Sequence, residues 1–176
     1  MGMSRWKLWP FRASVGLFRL GLNVAGRIPG LPYSRFLMLE SAAKRAVERS
    51  DYDRATMLAQ ELLSLADQYR DDWNYGNAVH HGHVVLGRAA LAKEDVATAR
   101  AELLLAGQTP GSPQLNSFGP NMRLARDLLL AGERSAVLEY VALCHQFWEM
   151  GSQQLAEWTA DITQGVVPNF GPNLAY

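Results

Sequence analysis

Thirteen consecutive residues, Asp71 to His83 (DDWNYGNAVHHGH), bring together three histidines, two carboxylates, a tryptophan and a tyrosine. Side chains of these types ligate metals, move protons or orient a polar ligand. His80 and His83 share a helical face at i,i+3 spacing, which suits two metal ligands. Further ligands would have to come from Asp71, Asp72, Cys144 or His145, no HExxH motif is present, and His81 points away from its neighbours. With the ligand set incomplete, His80 and His83 are expected to be hydrogen-bonded packing residues, with a metal on this pair as the alternative. Cys144 and His145 do not form a nucleophile–base pair, because adjacent residues on a helix diverge by about 100°. Nothing resembles a phosphate loop, a dinucleotide fingerprint or a Ser-His-Asp order. No cofactor and no nucleic-acid partner is expected.

The elements that must position these residues are helices. The chain has 176 residues, 48% of them hydrophobic and 19% charged, which is enough for one domain with a real core. Its single cysteine excludes an internal disulfide and fits a reducing cytoplasm. Helical periodicity recurs in segments of 12–20 residues without strand alternation. Breaks fall at 49–53, 69–73, 92–95, 107–120, 131–134 and 150–152. Seven or so helices in antiparallel hairpins fit these stops, so the fold class is all-α.

The hairpins resemble one another. LGRAALAKEDVATARAELLLAGQTP, from Leu86, aligns with LARDLLLAGERSAVLEYVALCHQFW, from Leu124, at an offset of 38. It aligns more loosely with AAKRAVERSDYDRATMLAQELLSLA, from Ala42, at an offset of 44. The Leu86 unit resembles a tetratricopeptide repeat, a 34-residue helix–turn–helix unit. Leu86 and Gly87 match that family's Leu-Gly pair, Ala90 its next small position, Ala99 and Ala106 its two alanines, and Leu103 the bulky position between them. Pro110 falls one residue early for the terminal proline. The likeness is good over residues 80–110, fair over 36–66 and 118–148, and absent elsewhere. It implies a short stack of hairpins over residues 31–165, with Gly87 and Ala99 letting backbones approach and Gln108 to Pro120 as an insertion along one edge.

In such an array one face of each first helix lines a concave groove. On a helix over 74–92, the residues Asn74, Asn77, His81, Val84 and Arg88 form that face, while Gly76, His80, His83 and Gly87 form the packing face. The offsets place Lys44, Arg88 and Arg126 in register. The resemblance therefore implies an interaction scaffold binding a peptide or protein segment, acidic or carboxylate-bearing, through Lys44, Asn74, Asn77, His81, Arg88 and Arg126. Val84 and Met122 depart from the family's carboxylate-clamp pattern. Asp71 or Asp72 is expected to cap the helix and Trp73 to pack on the preceding hairpin. A different class stays open: a small helical enzyme or a metal- or small-molecule-binding protein using Asp72, Trp73, Tyr75, His80, His81 and His83.

Two ends complete the plan. Net charge is zero, yet residues 1–39 hold six bases and no acid. Within the arm, residues 1–30, Arg12, Arg19, Asn23 and Arg27 make a narrow polar stripe on an otherwise apolar helix, with Trp6 and Trp9 just before it. Trp6, Trp9, Arg12, Phe18, Arg19 and Arg27 are the expected contacts to an anionic membrane surface or a partner. Arg19 interrupts any run long enough to span a bilayer. A cytoplasmic protein, peripheral at the membrane, is the expected setting. The tail, residues 166–176, has no charged side chain, repeats the Phe-Gly-Pro-Asn of 118–121 at 170–173, and is expected to dock along the stack or to mediate oligomerisation.

Overall fold

A computed structural model describes residues 31–175, and the groups assigned to the arm lie outside them. The chain divides after Arg35 into two units, and all packing below belongs to the second, Phe36–Tyr176. Among the described residues the regular structure is entirely helical. The eight α-helices are α1 (Leu31–Glu48), α2 (Tyr52–Ala66), α3 (Tyr75–Leu91), α4 (Val96–Gly107), α5 (Pro113–Phe118), α6 (Arg123–Leu130), α7 (Arg134–Cys144) and α8 (Ser152–Thr163). Short 3-10 turns, Glu149–Gly151 and Gly171–Leu174, precede α8 and end the chain. Helices adjacent in sequence pack as pairs, which makes the protein an all-α array of hairpins.

The internal repetition extends to the backbone. Ser50, Glu94 and Gly132 stand 44 and 38 residues apart, and each has a positive φ, of 59°, 63° and 90°. The residue after each returns its amide to the carbonyl five positions back: Asp51 to Ala46, Asp95 to Ala90 and Glu133 to Leu128, all at 2.9–3.0 Å. Asp51 and Asp95 then cap the second helix by accepting the amides of Arg54 and Thr98. At the same offsets Ala55, Ala99 and Val137 are buried, as are Ala59, Leu103 and Val141, and Leu62, Ala106 and Cys144. Three hairpins thus share one turn and one pattern of inward residues.

Helix α3 is buried nearly all round: ten of its residues, from Gly76 to Ala89, are inaccessible. Its glycines explain how backbones come so close. A methyl group on Gly76 would overlap the Gly111 carbonyl, and one on Gly87 would press on Leu124 and the Ala99 carbonyl. Residues 107–120 contain one turn of structure that the sequence pattern does not anticipate. Ser112 caps the short α5 by accepting the Leu115 amide at 3.0 Å, with Pro113 at its first position.

The first two hairpins place a non-glycine residue where the third has Gly132. An L-residue in that left-handed region costs about 1–2 kcal/mol. Glu94 is exposed, so Glu94→Gly is expected to raise the unfolding free energy by about 0.5–1 kcal/mol, read from the urea midpoint at unchanged m. A lower midpoint would show that the Glu94 side chain contributes more than its backbone strain costs.

Candidate functional site

The three histidines have three different fates. His80, fully buried, donates from Nδ1 to the Ala106 carbonyl at 3.1 Å, and its Nε2 accepts the Asn121 amide at 3.0 Å. The two bonds fix the neutral tautomer and tie α3 both to α4 and to the segment before α6. Burial is the main reason its pKa falls to about 4, with Lys44 and His83 adding repulsion against the Ala106 bond. His83 Nδ1 lies 2.7 Å from Glu102 Oε2. Because both ring nitrogens of His80 are committed, His80 and His83 do not form a metal pair, and no cluster of three potential ligands occurs among the described residues. His81, its ring edge-on to His80 with centroids 5.0 Å apart, reaches α1, with Nε2 3.6 Å from Glu40 Oε1. Its pKa lies well below the ordinary value, first through burial and then through Lys44 and His80.

The expected groove face of α3 is not open. Asn74, Asn77, His81 and Val84 are all buried. The chain covers them itself, with α1 on one side and the 108–120 insertion on the other. Asn77 Nδ2 donates to Asn74 Oδ1 at 2.8 Å and to Gln114 Oε1, while Asn77 Oδ1 accepts the Ser112 hydroxyl at 2.6 Å. The hydrogen bonds that the two asparagines were expected to offer a peptide backbone are made to the insertion. Asn74 is a buried partner of Asn77 rather than a contact residue.

The row of three cations is also different from expectation. Lys44 Nζ bonds Glu40 Oε1 at 2.7 Å. Arg88 and Arg126 share Asp127, with Arg88 Nε 3.7 Å from Oδ2 and Arg126 Nη2 3.0 Å from Oδ1. Burial lowers the Arg88 pKa, with Asp127 opposing the shift. Each cation therefore has an acid beside it, and Arg126 sits apart from the crevice that Lys44 and Arg88 share with Glu48 and Arg123. Register along the sequence did not become one basic groove, because acids at 40 and 127 intervene.

The structure assembles a cavity of about 440 Å3 instead. Glu40 and Lys44 of α1, Asn77 and His81 of α3, and Gln114 of α5 line it. Leu115, Phe118 and Gly119 of the insertion and Pro172 and Ala175 of the tail complete the lining, and two-thirds of Phe118 is exposed. The volume is that of a ligand pocket. Three of the expected contact residues, Lys44, Asn77 and His81, meet here. Glu40, Gln114 and Phe118 were missed: Glu40 reads as an ordinary i,i+4 partner of Lys44, and the insertion gives no periodic signal.

The tail forms part of this lining. Asn173 Nδ2 donates to the carbonyls of Phe118 and Pro120 at 3.0 and 2.9 Å, and the Met122 amide donates to the Asn173 carbonyl at 2.9 Å. The Arg123 guanidinium donates to the Leu174 carbonyl. Phe170 lies edge-on to Trp158, ring centroids 5.1 Å apart. The two Phe-Gly-Pro-Asn segments therefore lie side by side, with Phe170 buried and Phe118 mostly exposed.

No family model, curated protein or solved structure matches the chain. The chemistry of the cavity rests on its own geometry. The other cluster, Asp72, Trp73, Tyr75 and the three histidines, does not converge on one space. Trp73 is 55% exposed rather than packed on the preceding hairpin. Asp72 Oδ1 accepts the Asn74 amide at 2.8 Å, stabilising the turn that leads into α3 rather than capping its first residues. Cys144 is fully buried, and burial pushes its thiol pKa up, against a weaker hydrogen bond to Tyr140, so it is inert as a nucleophile.

His80 carries a pH dependence with a definite sign. Its folded pKa is depressed, so the unfolded chain binds the proton better, and stability present above pH 6.5 is lost as pH falls toward 4. From the value of about 4 against 6.5, the loss is about 2 kcal/mol at pH 5 and about 3 kcal/mol at pH 4. His81 shifts in the same direction. Urea unfolding at several pH values is expected to show this slope, and a flat profile between pH 7.5 and 5 would overturn the buried-neutral assignment.

Proposed function

We propose that this chain is a non-enzymatic interaction module, tetratricopeptide-like in use, which receives a short segment of a partner protein in the cavity between α1, α3 and α5. The observation that carries the proposal is the mixed polar and apolar lining of the cavity. Polar side chains from α1, α3 and α5 and apolar ones from α5 and the tail surround a space large enough for one or two residues of a partner. Phe118, exposed beside that space, is the kind of aromatic anchor that dominates binding energy in small interfaces. The row of three cations does not support the reading, since Lys44, Arg88 and Arg126 all have acidic neighbours.

A capture experiment separates this cavity from the formerly expected arginine row. Phe118→Asp is expected to reduce partner recovery at least tenfold, whereas Arg126→Glu leaves it near the wild-type level. Equal recovery by wild type and Phe118→Asp would refute the cavity as the recognition site.

The basic stripe and flanking tryptophans of residues 5–28 support attachment to an anionic membrane surface, in a cytoplasmic protein, as the second half of the proposal. Among the described residues no helix is long and apolar enough to cross a membrane. Full-length protein is expected to sediment with vesicles containing phosphatidylserine and to be released by salt, while protein lacking residues 1–30 stays in the supernatant. Equal sedimentation of the two would remove the arm from the proposal.

A further inference from the structure

Resting on the cavity as the binding site, we infer that the ligand group facing its polar side chains is a neutral amide rather than a carboxylate, with an apolar group directed toward Leu115 and Phe118. The hydrogen-bond inventory of the lining supplies the argument. Asn77 is engaged within the protein: its Nδ2 donates to Asn74 and Gln114, and its Oδ1 accepts from Ser112. Gln114 uses only Oε1, and among the described residues no hydrogen bond uses its Nε2. Lys44 Nζ spends one proton on Glu40 Oε1, the same oxygen that faces His81, so the second oxygen of Glu40 has no such contact among the described residues. Of these side chains, the Gln114 amide and the Lys44 ammonium keep donors for a ligand and the Glu40 carboxylate keeps an acceptor.

Charge selects between the ligands that could fit this pattern. Lys44 and Glu40 already neutralise each other at 2.7 Å. Burying a carboxylate here would leave one negative charge uncompensated, at a cost that the shared Lys44 does not offset. A primary or secondary amide has no such cost. Its carbonyl accepts from Lys44 or Gln114, its N–H donates to Glu40, and the attached side chain packs on Leu115 and Phe118. A peptide backbone and a free acylated amide share this chemistry.

N-acetylphenylalaninamide and N-acetylphenylalanine, differing only in amide against carboxylate, test the inference by NMR titration of the full-length protein. The amide is expected to shift the Gln114 side-chain amide and Phe118 resonances with at least tenfold higher affinity than the acid. In Glu40→Gln, which leaves Lys44 unbalanced, the ratio is expected to fall at least tenfold in favour of the acid. An acid that binds wild type as tightly as the amide, or a ratio unmoved by Glu40→Gln, overturns the amide assignment while leaving the cavity as the site. If neither probe shifts cavity resonances, the site itself fails. The wild-type comparison decides alone if Glu40→Gln does not fold. A longer peptide amide binding more than tenfold tighter than N-acetylphenylalaninamide would assign the source to a protein segment, and equal affinity would assign it to a small acylamide.

Discussion

The two hydrogen bonds of His80 hold together three parts of the chain that are distant in sequence. One ring nitrogen reaches the end of α4, the other the start of the α6 segment, and the imidazole itself is inside α3. The geometry works only for a neutral ring with its proton on Nδ1, which the surrounding burial enforces. Tyr140 adds a third link by donating to the Asn121 carbonyl at 3.2 Å. The position of Asn121 in turn sets Met122, whose amide holds the tail through Asn173. A buried polar network of this kind stabilises through its complete satisfaction, because each orphaned group would incur the full desolvation cost.

Around that centre the array is built by repetition with one departure. The three turns at Ser50, Glu94 and Gly132 have the same backbone form, and the same inward positions close the space between helices. The departure is the segment 108–120. It enters between the second and third hairpins, anchors Thr109 Oγ1 to the Gly76 carbonyl at 2.8 Å, and folds back over α3. Only a glycine at 76 leaves room for this, since Gly111 occupies the place of its side chain. Consequently the face of α3 that would be a groove in a regular array becomes the floor of a cavity, roofed by α5 and the tail.

That covering also decides the electrostatics. Lys44 on an open face would be a free cation suited to acidic ligands. Beside Glu40, and next to a histidine kept neutral by burial, it becomes half of a balanced pair in a partly enclosed space. The cavity holds one balanced ion pair and so has no net charge, and recognition there depends on hydrogen-bond matching and shape rather than on long-range attraction.

The helical class, the hairpin turns and the repeat offsets were legible in the sequence, because they follow from local periodicity, turn residues and the spacing of small side chains. The packing role of His80 and Gly87 was legible too, as both lie on one face of a single helix. What covers the other face was not. Asn77, His81 and Lys44 are brought to one cavity by contacts with Ser112, Gln114 and Glu40, between 4 and 41 residues away along the chain. Whether a polar helical face meets solvent, a ligand or the protein's own insertion depends on where a non-periodic segment docks. That docking is set by a glycine clearance and a hydroxyl bond, neither of which has a period to read. The sequence by itself determined the helices and their turns; only the tertiary structure decided which of their polar residues remain available to a ligand.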